Sequence, residues 1–377
     1  MKAIVNTKTL KAAVDKAAFA VEAKATLPIL GNLLISCDKD KQQITITGTD
    51  LENTVSLFRT CNVPESGAFT VNAKAMKKIM ASIDDISTTI FHDDDDDDEN
   101  TKNMLTVNDY KLVGMPADEF PVFPSPAIDA PKTQMVSLPI SAIEKVRAAI
   151  STDEARYYLN GIFLDHGAIT ATDGHRLHTA KHSTGMQAPE LDDKGHITNV
   201  DDIGAIVPAA AVKLLARASY KKDYTGQGLI CGNHIYLGLG GDDFLMAKLI
   251  DGDFPEYSQV IPGYSDGFAI IEKKEFTSAL KAAMAVSGEM NNGVKIALNG
   301  SIQVSSSNPD LGTFSRTVPG EWSEHTKELV TGFNARYMLD ALAQVDGDQA
   351  MMEVSDNLAP ALFSEGAFRA VVMPMRL

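Results

Sequence analysis

The sequence predicts an α+β chain of three tandem domains, each joining helices to antiparallel sheet. Three observations carry this. A strand-break-helix unit recurs at constant spacing, a second helical unit recurs at the matching places, and segments of alternating apolar and polar residues lie between the helices. The length of 377 residues suits two or three domains of about 100–200 residues. Hydrophobic content of 44% with 22% charge belongs to a folded globular chain.

The first unit reads AIVNTKTLKAAVDKAAFAV at 3–21, VSLPISAIEKVRAAIST at 136–152 and AIIEKKEFTSALKAAMAV at 269–286. Each is a short strand, a polar break and a helix with apolar residues at i, i+3/i+4 and i+7. Leu10, Ile143 and Phe276 hold one shared place, 133 residues apart each time. The second unit is VNAKAMKKIM (71–80), VPAAAVKLLA (207–216) and FNARYMLDAL (333–342). Asn72 and Asn334 are N-caps by type, and Pro208 suits a first helical turn. Between the helices, LLISCDKDKQQITITGTD, GIFLDHGAITATD and VKIALNGSIQVSSSN alternate as half-buried strands do. Pro-rich EFPVFPSPAIDAP and DFPEYSQVIPG suit linkers. The expected domains are 1–128, 129–265 and 266–377.

The stretch ATDGHRLHTA at 171–180 gathers residues of acid–base chemistry, but the repeat assigns part of it elsewhere. ITATD matches ITGTD (46–50), with VSSSN (304–308) as the third version, so Asp173 first serves to accept backbone N–H groups at a strand-ending turn. Gly174, His175 and Arg176 have no sequence counterpart in the other two copies.

Net charge is −16, which by itself opposes a nucleic-acid partner. The charge is segregated, however. Over the six expected helices (7–24, 72–84, 140–152, 208–222, 272–286 and 333–345) there are 17 Lys and Arg against 7 Asp and Glu in 87 residues. The helices are basic, and the strands and loops carry the acid. A helix-lined basic face attracts phosphate without reading bases, while an acidic exterior repels it.

No stretch reaches the roughly 18 apolar residues of a membrane span, and lysines interrupt the N-terminal segment, so neither a membrane partner nor a signal peptide is expected. Cys37, Cys61 and Cys231 have no paired spacing, which fits a reduced cytoplasmic compartment with no zinc site. No HExxH, GxSxG or P-loop pattern occurs, and GLGGDD (238–243) reads as a hairpin turn. An enzyme using Asp173, His175 and Asp251 is the alternative class. No catalytic residue, metal or cofactor is expected.

TLPILGNLLI (26–35), TGTDLE (47–52), RYYLNG (156–161), ATDGHRL (171–177), LIDGDFPEY (249–257), GFNARYMLDAL (332–342) and VVMPMRL (371–377) run in order along a chain that resembles the bacterial DNA polymerase III beta subunits, the sliding clamps. The resemblance spans the whole chain. It implies a homodimeric ring, with antiparallel sheets outside and helices lining a hole around duplex DNA, that tethers the replicative polymerase and also serves the clamp loader and repair proteins.

The resemblance further implies a hydrophobic peptide groove formed by Leu159, Thr172, Gly174, His175, Arg176, Leu177, Pro255, Val260, Val371, Met373, Pro374, Met375, Arg376 and Leu377. Pro and Leu supply fixed apolar walls and Met a pliable one, while Arg176 and His175 would orient the polar ends of a peptide. With the basic helices lining the hole, the resemblance also implies that Lys24, Lys74, Lys77, Lys78, Lys145, Arg147, Lys213, Arg217 and Lys221 face DNA. The implied dimer contact sets Tyr110 and Leu112 against Ala285 and Val286. The last two are small, so the contact is expected to be weaker by about 1–2 kcal/mol by area burial.

Two stretches depart from the family pattern. The run HDDDDDDEN (92–100) reads as a solvated loop. STDEA (151–155) is acidic where family clamps carry a polar DNA-touching loop. A clamp-like scaffold that binds proteins without encircling DNA is therefore a second alternative.

Overall fold

The computed structural model describes residues 1–22, 27–92, 103–124, 133–182, 204–218, 224–263, 267–288, 292–323 and 328–376. Lys24, Lys221, Leu377 and the Asp93–Asp98 run lie outside the described residues. Two compact units form, one from Met1–Ile140 with Ala210–Leu249, the other from Ser141–Ala209 with Ile250–Leu377. They cut across the three sequence repeats because strands of successive repeats share a sheet.

Six helices follow the repeat. α1 (Thr7–Ala17) and α2 (Ala73–Ser82) come from the first copy, α3 (Ile140–Val146) and α4 (Ala209–Ala218) from the second, α5 (Lys273–Ser287) and α6 (Ala335–Leu342) from the third. Asn6, Asn72 and Asn334 cap α1, α2 and α6, each side chain accepting a backbone N–H from the first turn. Leu10, Ile143 and Phe276 are all fully buried, as their shared place requires. α1 stops earlier than its expected end at 24, because Phe19 and Ala20 donate to the carbonyls of Lys16 and Ala17, closing the helix with tight i→i−3 bonds.

The first unit holds a thirteen-stranded antiparallel sheet system. In it Asn53–Thr60 of the first repeat pairs with Asp243–Lys248 of the second, Thr54 opposite Met246. A buried ion pair locks this seam. Arg59 Nη1 lies 2.7 Å from Asp243 Oδ1, which also accepts the Phe58 N–H at 2.8 Å. Lys16 lies against the pair, and burial together with the Arg59 charge lowers its amine to about 8.

The second unit holds a nine-stranded and a four-stranded sheet. Here Arg176–Lys181 of the second repeat pairs with Phe368–Val372 of the third, Leu177 opposite Val371. The core of the third repeat includes Phe276, Phe333, Met338, Phe363 and Phe368.

His178 lies within this seam, fully buried, with its ring edge-on to Phe368. Its Nδ1 bonds the Lys145 carbonyl at 3.0 Å, and its Nε2 is buried with no partner among the described residues. Burial therefore pushes the imidazole down to about 4, against the carbonyl bond that favours its charge. The unfolded chain takes this proton near pH 6.5 and the folded chain only near 4. Stability is complete above about pH 6.5 and falls as pH drops toward 4, by about 3 kcal/mol for this group. Denaturant midpoints measured between pH 7 and 4 should show that slope, and His178→Gln should flatten it.

Candidate peptide groove and basic faces

The turn at 172–176 is built locally. Asp173 Oδ1 accepts the N–H groups of His175 (2.9 Å) and Arg176 (3.0 Å), while Thr172 Oγ1 donates to the Arg176 carbonyl at 2.6 Å. The same device closes the other repeats. Asp50 accepts from Glu52 and Asn53, and Asn308 from Asp310 and Leu311. The turn role expected for Asp173 is thus met in all three copies. Gly174 has φ +85°, and a Cβ there would stand 2.5 Å from Arg156 Nη1. Leu51, at the same place in the first repeat's turn, also has positive φ, and the atoms nearest a Cβ at Gly174 are the end of the flexible Arg156 side chain.

Arg176 is committed within the protein. Its Nε is 3.0 Å from Asp173 Oδ2, its Nη1 is 2.5 Å from Asp340 Oδ2, and its guanidinium lies over the Tyr337 ring at 4.3 Å. These contacts brace the turn against α6, and of the two polar residues expected to face a peptide, His175 is the more exposed.

The C-terminal tail leaves the sheet beside this turn. The Met373 N–H donates to the His175 carbonyl at 2.9 Å, and the Met375 N–H to the Gly332 carbonyl at 2.8 Å. Leu177, Leu362 and Val371 form a small apolar floor of their own, flanked by Tyr257 and Ile261. Tyr257 hydrogen-bonds Asp165 and meets the stacked pair Phe163–Phe254 edge-on. Burial, reinforced by that carboxylate, raises the Tyr257 phenol well above its usual range, so it stays a neutral donor.

Around this floor the groove residues divide by depth. Leu159, Thr172, Leu177 and Val371 are buried, Pro374 and Met375 half-buried, and Gly174, Pro255 and Arg376 exposed. Val260 (45%) and Met373 (40%) leave large apolar surface open. Tyr337 and Asp340, one helical turn apart on α6, were missed in the sequence, as were Leu362, Tyr257 and Ile261. The i, i+3 spacing in ARYMLD was the available signal.

The basic residues group within each unit. In the first, Lys74 and Lys78 of α2 and Lys213 and Arg217 of α4 are exposed. Lys77 is half-buried, 3.5 Å from Asp15. A cleft of about 880 Å³ is lined by Lys74, Lys77, Lys78, Asn72, Pro28 and Val113, among others. In the second unit Arg147 pairs with Glu144 at 2.7 Å, and Lys145 lies 3.8 Å from Asp346. Lys274 and Lys281 of α5 are exposed cations that the residue-by-residue expectation left out. In the acidic 151–155 stretch, Asp153 caps a 3-10 turn and pairs with Arg156, which holds its carboxyl below the usual range.

On the expected dimer strand Tyr110–Pro116, Leu112 turns inward at 8% exposure, opposite Leu105, while Val113 turns outward at 68%. Tyr110 is exposed, its hydroxyl 3.2 Å from Ser82 Oγ. On α5, Ala285 is exposed and Val286 half-buried.

Three family models cover nearly the whole chain. They are the DNA polymerase III beta subunit N-terminal domain at residues 1–124, its central domain at 136–256 and its C-terminal domain at 258–376. The chain belongs to the DNA polymerase III beta subunit family. Among curated relatives, the beta sliding clamps of Caulobacter vibrioides (29% identity, all of both chains) and Pseudomonas aeruginosa (29%, 95% of each) are similar over their length. Solved structures agree. A sliding clamp from Bartonella birtlesii bound to griselimycin superposes with TM-score 0.86 at 27% identity, and the P. aeruginosa beta subunit with 0.84 at 26%, each over all of both chains. The fold is thus three tandem clamp domains of antiparallel sheet and helix. The function of a beta sliding clamp is that of a DNA replication processivity factor, with DNA, the polymerase and other proteins as partners, and it is not an enzyme. No described helix is long and apolar enough to cross a membrane.

Proposed function

We propose that two copies of this chain close head to tail into a ring around duplex DNA in the cytoplasm. The 172–177 turn and the C-terminal tail then capture short peptides of the replicative polymerase, the clamp loader and repair proteins. We place the domains at 1–128, 129–265 and 266–377; the three family models divide the chain in the same order, at 1–124, 136–256 and 258–376.

The twice-repeated seam carries the ring. Asn53–Thr60 pairs with Asp243–Lys248, and Arg176–Lys181 with Phe368–Val372, in one register. The third-repeat counterpart of the leading strands, Gly312–Val318, ends its sheet. The first-repeat counterpart of the trailing strands, Tyr110–Pro116, pairs with Met104–Val107 over residues 110–113, and no described strand takes its other edge there. Open edges of this kind are templates for pairing. Two copies joined head to tail fill both, and such a heterologous contact closes if its rotation allows.

The repeat register sets Gly312 opposite Val113 of the second copy, with Leu311 at the end of the joint, because Gly114 already pairs with Val71. Lys78 then takes the position of Asp340, beside the turn that carries Asp310 in the second copy. We therefore assign Lys78 to this joint and keep Lys74, Lys77, Lys145, Arg147, Lys213 and Arg217, with Lys24 and Lys221, as the DNA-facing cations. Ala285 and Val286 stand at the helical side of the joint, with Tyr110 and Val113 on its strand side.

Sedimentation over a wide concentration range tests the ring, and the expected species has twice the chain mass. The DNA face is tested by Lys74→Ala with Lys213→Ala. Each phosphate contact contributes about 0.9 to the slope of log K against log salt, so the pair should flatten it by about 2. Peptide affinity should not change. A fall in both affinities together would indicate misfolding instead.

A further inference from the structure

Phe19 is a large aromatic left 41% exposed beyond the end of α1, and two cations lie over its ring. Lys77 Nζ of α2 is 5.2 Å from the ring centroid, and the Arg217 guanidinium of α4 is 5.0 Å away. α2 and α4 belong to successive repeats, so one ring holds charges from both sides of the first seam. The distances are those of cation–π attraction, which favours Arg and Lys at the ring face. Asp15, one turn before Phe19, also reaches Lys77, at 3.5 Å, but both side chains are more than a third exposed, and such pairs hold weakly.

We infer that Phe19 is a positioning residue for DNA. It holds Lys77 and Arg217 as a two-cation bridge across the seam, poised to contact neighbouring phosphates of one duplex strand. This rests on the DNA-facing reading of the basic helices. Long cationic side chains lose much rotamer freedom when they settle on a phosphate. A ring that already confines both ends lowers that cost and leaves the number of phosphate contacts unchanged.

The experiment is anisotropy of a short labelled DNA duplex with the full-length chain over a salt series, with a melting curve for each variant. Phe19→Leu should weaken duplex binding about 2–5-fold with an unchanged salt slope. Phe19→Trp should restore it. Lys77→Ala with Arg217→Ala should flatten the slope by about 2. If the double variant flattens the slope but Phe19→Leu binds like the parent at every salt, the ring does not organise the bridge and the inference is overturned. If the Lys77 and Arg217 pair leaves the slope intact while the Lys74 and Lys213 pair lowers it, the bridge lies off the DNA path. The inference then fails and the DNA face stands. If neither pair alters the slope, the DNA-facing reading fails as well.

Discussion

Val113→Asp and Leu311→Asp should each convert the two-copy species to single chains at micromolar concentration. Both side chains are mainly exposed in one chain, at 68% and 61%, so a carboxylate at either place costs the isolated fold little. In the proposed joint Val113 stands within the paired strands and Leu311 at their end, where a carboxylate is desolvated without a partner. Such a charge costs several kcal/mol, and 3 kcal/mol already weakens association more than about 100-fold. Analytical ultracentrifugation reads the result, with melting curves as the control. If the variants remain dimeric at the parent's concentration, the joint does not use these strand edges. If the parent itself is a single chain across the range, ring closure needs a loader, DNA or another partner, and the scaffold alternative gains support.

Deleting residues 373–377 should abolish capture of partner peptides while the fold persists. The tail is tied to the body at Met373 and Met375 by backbone bonds to His175 and Gly332. The strand Phe368–Val372, with its fully buried Phe368 and Val372, stays in place. What disappears is the apolar side of the groove that the tail supplies, Met373, Pro374 and Met375. A peptide held at roughly micromolar affinity, about −8 kcal/mol, should lose at least about 100-fold. Fluorescence binding of a polymerase-derived peptide checks this directly. Undiminished stimulation of the polymerase by the truncated chain would refute the groove assignment.

Much of this architecture is local and was legible in the sequence. The Asx turns at Asp50, Asp173 and Asn308 depend on a side chain and the N–H groups two and three residues on. The caps at Asn72 and Asn334 reach no further than the first helical turn. Leu10, Ile143 and Phe276 share one buried place because a repeated helix presents the same face to its own sheet. The groove residues followed from resemblance rather than from spacing. Composition alone, at −16, pointed away from DNA until charge was sorted by element.

The remainder depended on chain segments far apart in sequence. In YKLVGM alternation separates Leu112 from Val113 but does not say which faces the core, since both are apolar. Pairing of Leu112 with Leu105 decides it. Arg176 looked available to a ligand, and only the return of α6, which brings Tyr337 and Asp340 to it, commits its charge. Nothing short-range in the sequence sets Phe19 apart, and only α2 and α4 place a cation each over its ring. By itself the sequence determined the repeat, the turns, the caps and the basic helices, because hydrogen bonds across two to four residues and one amphipathic face suffice for them. The tertiary structure alone decided which edges stay open, which charges are already paired and which apolar side chains remain exposed. Those properties depend on what else reaches the same place, and short-range pattern carries no record of that.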